Sequence, residues 1–104
     1  MKYNILKTEA FEKQFESLDN SIKLQMDKEI EQLKVNPYVG KPLGFKFFRE
    51  KKVRNYRIYY IIYEEYVAVF VISLSDKKNQ QYEINKIKPS LPYYKEEIKK
   101  ILKL

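Results

Sequence analysis

Arg57 is the residue whose place in the sequence most needs a chemical reason. It stands in the run Tyr56-Arg57-Ile58-Tyr59-Tyr60-Ile61-Ile62-Tyr63. Strand alternation would line it up with Tyr59, Ile61 and Tyr63, at a position an apolar side chain would ordinarily fill. A guanidinium buried without a partner is strongly destabilising. It must therefore meet a carboxylate, a bound anion, or solvent at an open face of a sheet. A carboxylate or solvent would make it structural; an anion would make it a phosphate site, because its planar fork matches phosphate oxygens. Spacing alone leaves the two readings nearly level.

Other basic and aromatic residues surround it in sequence. Lys46, Arg49, Lys51, Lys52 and Arg54 lead up to Arg57. Alternation sets Lys46 and Phe48 on one strand face and Phe47 and Arg49 on the other, so these residues cannot all converge on one ligand. As a patch they would supply a salt-dependent, sequence-independent grip on a polyanion; the blander reading is a charged hairpin that deters edge pairing. Lys77 and Lys78 follow the last apolar run, and Tyr82 comes just after them. A surface tyrosine can stack on an unpaired base while its hydroxyl meets phosphate, and an ordinary packed tyrosine is the equal alternative.

The charge is unevenly divided. The chain has a formal net charge of +7, yet residues 1–40 hold 6 basic and 7 acidic side chains, whereas residues 41–60 hold 7 basic and 1 acidic. Residues 61–75 contribute −2 and residues 76–104 contribute +4. A positive segment concentrated around Arg57 favours nucleic acid or an acidic protein partner.

Absences narrow the chemistry further. The chain has no cysteine and no histidine, which excludes disulfides, Cys/His zinc sites, Ser-His and Cys-His nucleophiles, and any ribonuclease mechanism built on a histidine acid–base pair. Asp27 and Glu31 share a helix face but read as a solvated polar face, not a metal site, since metal nucleases need carboxylates from several elements. No Gly-rich phosphate loop occurs. We therefore expect no metal and no small-molecule cofactor. The start MKYNILKTEAFEK has no apolar leader pattern and no run approaches a membrane span, so the expected location is cytoplasmic with no membrane association.

These residues must be positioned by one compact domain spanning 1–104, the size of a single core. Residues 2–7 predict a first strand. Thr8 is placed to cap a helix with Phe11, Phe15 and Leu18 on one stripe, and Asp19-Asn20-Ser21 breaks it before a second helix bearing Ile22, Met26, Ile30 and Leu33. Pro37 ends that helix at about Val35 or Asn36, giving an antiparallel helix hairpin. NPYVGKPLG reads as a loop. Residues 45–50, 53–63 and 66–74 predict three strands of an antiparallel meander, with Glu64-Glu65 as a tight connection. The tail can be read as a further strand or a short helix, and Ile98, Ile101 and Leu102 favour a C-terminal helix that packs rather than one that lies on a membrane. The fold class is α+β.

In that order, YRIYYIIYEE and VFVISLSDKK, the helix exit Asn36-Pro37, the turn Gly40-Lys41-Pro42-Leu43, and Ile72-Ser73 followed by Asp76-Lys77-Lys78 resemble the RelE/ParE toxin superfamily over nearly the whole chain, and its RelE-like members above all. The resemblance implies a type II toxin that cleaves mRNA on the ribosome without metal and is silenced by a cognate, RelB-like antitoxin. It implies that the RNA's own 2′-hydroxyl is the nucleophile, so the protein need supply only proton transfer and charge stabilisation. By resemblance Arg57 meets the scissile phosphate and Lys77 supplies a second basic group. Lys46 and Arg49 fall near the family's strand lysines, across an insertion, and Tyr82 falls close to its base-stacking tyrosine. Lys78, Lys52 and Arg54 are expected to contact RNA. Glu50 is a second candidate for the general base. ParE-type members with the same fold act on DNA gyrase, so a gyrase poison, or a degenerate toxin that only pairs with its antitoxin, is the alternative.

Overall fold

The computed structural model describes residues 2–104. In chain order the elements are β1 (Asn4–Lys7), α1 (Glu9–Glu16), α2 (Asn20–Leu33), a 3₁₀ turn (Pro37–Val39), β2 (Lys41–Phe45), β3 (Phe48–Val53) and β4 (Tyr56–Tyr63). A second 3₁₀ turn (Glu64–Tyr66) leads to β5 (Ala68–Asp76), followed by α3 (Gln80–Ile87), a third 3₁₀ turn (Lys88–Ser90) and α4 (Leu91–Leu102). The expected α+β architecture holds. The β3-β4-β5 meander is the centre of a five-stranded sheet in the order β1-β5-β4-β3-β2, with β1 parallel to β5 and the other pairs antiparallel.

The fifth strand comes from the segment read as a loop. Lys41–Phe45 pairs with β3 as an edge strand, where the missing N–H of Pro42 breaks no ladder essential to the sheet. Its register shifts between Pro42 and Phe45, around Gly44 at φ +89°, a conformation that favours glycine. The central strands also begin later than expected. Lys46 and Phe47 form the β2–β3 turn, Arg54 (φ +54°) and Asn55 the β3–β4 turn, and the link to β5 runs through Val67 at φ +48°. Aromatic and β-branched residues fill both sides of each turn, so their pattern could not mark where the chain reverses. The tail forms two helices and no further strand.

Helices cover both faces of the sheet. Thr8 caps α1, its Oγ1 accepting from the Phe11 amide at 3.0 Å, and Asp19 caps α2 by accepting from the Ile22 amide at 3.1 Å. Their apolar stripes bring Phe11, Met26, Ile30 and Leu33 against Ile58, Tyr60, Ile62, Val69 and Val71. On the other face Phe48, Tyr59, Ile61, Phe70 and Ile72 pack under Ile84, Ile87 and Ile98 of α3 and α4. Double coverage explains why β4 and β5 are apolar at nearly every position. Each large side chain fully buried there stabilises the fold by roughly 1.5–3 kcal/mol relative to exposure.

Candidate functional site

A polar island lies within the second face, beneath the start of α3. The β4–β5 register shifts between Tyr59 and Tyr60, and beyond the shift Arg57 stands opposite Ser75 and Tyr59 opposite Ser73. On the other side of β4, Glu50 of β3 is paired with Tyr59 and Lys52 with Arg57. One patch therefore gathers a carboxylate, a guanidinium, a phenol and two serine hydroxyls.

Their contacts are tight. The Arg57 Nε lies 3.5 Å from Glu50 Oε2, and Nη1 donates to the Tyr56 carbonyl at 3.3 Å. Gln80, the first residue of α3, donates its amide to both Glu50 oxygens, at 2.9 and 2.8 Å. The Tyr59 and Ser75 hydroxyls are 2.8 Å apart, and Ser73 donates to Glu83 Oε2 at 2.8 Å. Arg57 is 8% exposed, Glu50 6% and Glu83 8%. Of the two buried carboxylates, Glu50 meets the guanidinium, while Glu83 meets Ser73 and lies 3.9 Å through Oε1 from Lys86 Nζ. Burial holds the Tyr59 hydroxyl above the ordinary tyrosine value, so it remains protonated at neutral pH.

The basic residues separate into two groups. Lys52 is the exposed cross-strand neighbour of Arg57. The Lys77 amide donates to the Asn55 carbonyl at 3.1 Å, so exposed Lys77 and Lys78 flank the β3–β4 turn at the same end of the sheet. Lys46 and Arg49 do not join them. Lys46 sits in the β2–β3 turn at the far end of β3, about 20 Å along the strand from Lys52, with its ammonium 5.6 Å from the Tyr38 ring centroid. Arg49 is paired with Tyr60 on the α1–α2 face, where its guanidinium donates to the carbonyls of Gly40 (3.0 Å), Lys46 (2.8 Å) and Tyr38 (3.0 Å). With those donors engaged it cannot share a ligand with Arg57. Arg54 turns toward α2, donating from Nε to Gln25 Oε1 at 2.6 Å. Tyr82, 68% exposed, projects from α3.

The polar partners beneath α3 were not singled out from sequence. Ser73 and Ser75, alternating at the end of an apolar run, were the one available signal; Gln80 and Glu83 had none, because only the folding of α3 onto β3 and β5 aims them inward. Among the described residues no group of three His, Cys, Asp or Glu is placed to hold a metal ion, and no helix is long and apolar enough to cross a membrane.

An antiparallel core strand carrying a buried arginine is thus preceded by a helix hairpin and rimmed by lysines. The family model described as the ParE toxin of type II toxin-antitoxin systems matches residues 5–80, and the chain belongs to that family. Within the RelE/ParE superfamily it is a RelE-like member. It is similar to E. coli RelE as seen in the intact RelBE toxin-antitoxin complex, at 27% identity and TM-score 0.65 over 71% of this chain and 95% of that one. It is also similar to a double mutant of E. coli RelE in the free state, at 26% identity and TM-score 0.71 over 83% of this chain and 93% of that one. The toxin-antitoxin complex RelBE2 of Mycobacterium tuberculosis shares the fold at 21% identity and TM-score 0.66, covering 74% of this chain and 93% of that one. No curated protein matches the sequence.

Proposed function

We propose that this toxin is a ribosome-dependent mRNA endoribonuclease that works without metal or cofactor and is held silent by a RelB-like antitoxin. The observation that carries the reading is the pairing of Glu50 with Arg57 at 3.5 Å, with Lys52 and Lys77 at the same end of the sheet. Glu50 is then the general base. It takes the proton of an RNA 2′-hydroxyl, the freed oxygen attacks the adjacent phosphorus, and the bond from phosphorus to the 5′-oxygen breaks. The products are a 2′,3′-cyclic phosphate and a 5′-hydroxyl end protonated from solvent. Arg57 stabilises the charge that grows on the phosphate oxygens, Lys52, Lys77 and Lys78 grip neighbouring phosphates, and exposed Tyr82 stacks a base. Lys46 and Arg49 take no part in the chemistry.

The test is to map cleavage in messenger bound to programmed ribosomes. Arg57→Ala and Glu50→Gln should each lower the cleavage rate on the order of 10²- to 10³-fold while the far-ultraviolet circular dichroism is kept. Intact messenger with a wild-type protein that still arrests growth sinks the nuclease reading.

One observation favours a second reading. Arg57 and Glu50 are nearly inaccessible and satisfy one another, as a structural ion pair would. On that reading the toxin poisons DNA gyrase, or serves only to bind its antitoxin. Arg57→Ala would then lower stability, by roughly 3–5 kcal/mol for a broken buried pair, and growth arrest would be relieved by excess gyrase.

A further inference from the structure

We propose that Lys41 and Lys88 form a second phosphate-binding segment along the β2 edge, which holds the backbone of single-stranded RNA flanking the Arg57 site. The inference rests on the nuclease reading for the identity of its ligand, and the segment carries no step of the chemistry. Sheet register places Lys41 opposite Glu50, Glu50 opposite Tyr59, and Tyr59 opposite Ser73. Lys41 therefore stands on the same sheet face as the Glu50–Arg57 pair, one strand outside it. Lys52, in the adjoining row beside Arg57, continues the line of cations toward Lys77.

A lysine directly across an antiparallel ladder from a carboxylate would ordinarily pair with it. Here the Glu50 oxygens already meet Arg57 and Gln80, and Lys41 is left exposed. Lys88, the exposed first residue of the third 3₁₀ turn, reaches β2 from a different element. A Cβ on Gly44 would fall 2.9 Å from Lys88 Nζ and 3.4 Å from its Cε, so the ammonium lies against the bare backbone of the strand. Among the described residues neither lysine makes an ion pair. Lys41 and the notch at Gly44 are about 10 Å apart along the strand.

An unpaired, solvated ammonium is a point charge with three donors, suited to phosphate oxygens of a flexible backbone. Lysines on an edge strand can also deter edge-to-edge pairing, and that role would account for Lys41 alone. It does not account for Lys88, which lies outside the strand yet brings its charge to it, at an edge where Pro42 already removes a donor. Lys77, Lys52, Lys41 and Lys88 together give one rim of this face a continuous positive field.

The experiment compares the full-length wild type with Lys41→Ala, Lys88→Ala, the double variant, Lys41→Arg, and Lys28→Ala as a control on exposed α2 surface. Fluorescence anisotropy over a series of salt concentrations follows binding of a 2′-O-methyl RNA of about twelve nucleotides, a probe that cannot be cut. The slope of log affinity against log salt should become shallower by roughly 0.7 in each alanine variant of the segment and by about 1.4 in the double. Lys41→Arg and Lys28→Ala should keep the wild-type slope, and urea midpoints should not move. Unchanged slopes, an equal change in Lys28→Ala, or no salt-dependent binding by the wild type would each overturn the segment. Unchanged slopes with self-association of Lys41→Ala on gel filtration would make that lysine an edge guard instead. On programmed ribosomes, loss of a flanking contact should raise the toxin concentration needed for half-maximal cleavage and leave the maximal rate unchanged; a maximal rate that falls as in Arg57→Ala would also overturn the assignment. The two proposals fail separately: absent cleavage with the slopes moving as expected removes the nuclease reading and leaves the β2 edge as an RNA-binding site. Cleavage by the wild type with unmoved slopes removes the segment alone.

Discussion

Gly40 has no room for a side chain, and the reason lies in what surrounds it. Its amide donates to the Tyr60 hydroxyl at 3.2 Å, that hydroxyl donates to the Pro37 carbonyl at 2.6 Å, and Arg49 Nε donates to the Gly40 carbonyl at 3.0 Å. A Cβ at this position would fall 2.5 Å from the Glu50 carbonyl oxygen and into the Tyr60 hydroxyl. Gly40→Ala should therefore cost roughly 2–3 kcal/mol as overpacking, read as a lower urea midpoint with unchanged slope. A midpoint equal to wild type would show that β2 and β3 separate more easily than this packing implies. Arg49, at the same junction, teaches the same lesson. From sequence it belonged with the basic residues near Arg57; in the fold it splices the Pro37–Val39 turn to β3. Charge type alone could not distinguish those roles, because both require a guanidinium and differ only in which face of the strand it leaves.

At the scale of elements, β5 outlasts its neighbour. β1 pairs with Ala68–Val71, while β5 runs on to Asp76, leaving a stretch of edge that would otherwise present bare backbone groups. The α1 segment covers it. Thr8 Oγ1 donates to the Ile72 carbonyl at 2.6 Å, and the Gln14 side chain both donates to the Leu74 carbonyl and accepts from the Leu74 amide, at 3.0 Å each. Gln14 thus serves as one rung of a missing strand. Gln14→Leu should destabilise the protein by roughly 1–3 kcal/mol and speed amide exchange at Leu74 selectively, measured by hydrogen exchange under native conditions. Uniform exchange changes across the sheet would contradict that local role.

For the whole molecule, titration should act only at the extremes of pH. With no histidine and no cysteine, few groups change charge near neutrality, and unfolding free energy in urea should be nearly flat between about pH 6 and 9. Above that range the tyrosines decide. Burial raises Tyr59, Tyr60, Tyr63 and Tyr94 above their ordinary value of 10.0, Tyr60 to about 12. A raised phenol keeps its proton in the folded state, so its contribution is fully present below pH 10.0 and is lost as pH rises toward the folded value. On the acid side Glu64 is lowered, first by the Tyr3 hydroxyl and then by that of Tyr38, and Glu65 by Lys95. Their contribution is present above 4.5 and is lost as pH falls through the lowered values. A stability maximum confined to a narrow neutral range would contradict this assignment.

Residue type and local period determined much of this protein. The helix hairpin with its Thr8 and Asp19 breaks, the apolar central strands, the clustering of positive charge and the need of Arg57 for a partner were all legible, because each depends on neighbours within a few residues. The partner itself was not. Glu50 lies only seven positions from Arg57, but which strand face it shares depends on where β3 turns into β4, and the aromatic run hid that turn. Strand β2 was hidden by its proline and glycines, which an edge can accept and a central strand cannot. Gln80 reaches Glu50 across thirty residues, through a helix whose seat exists only once the sheet is built. Tertiary structure alone therefore decided that Arg57 faces a carboxylate, that Lys46 and Arg49 stand apart from it, and that Gln80 of α3 meets that carboxylate.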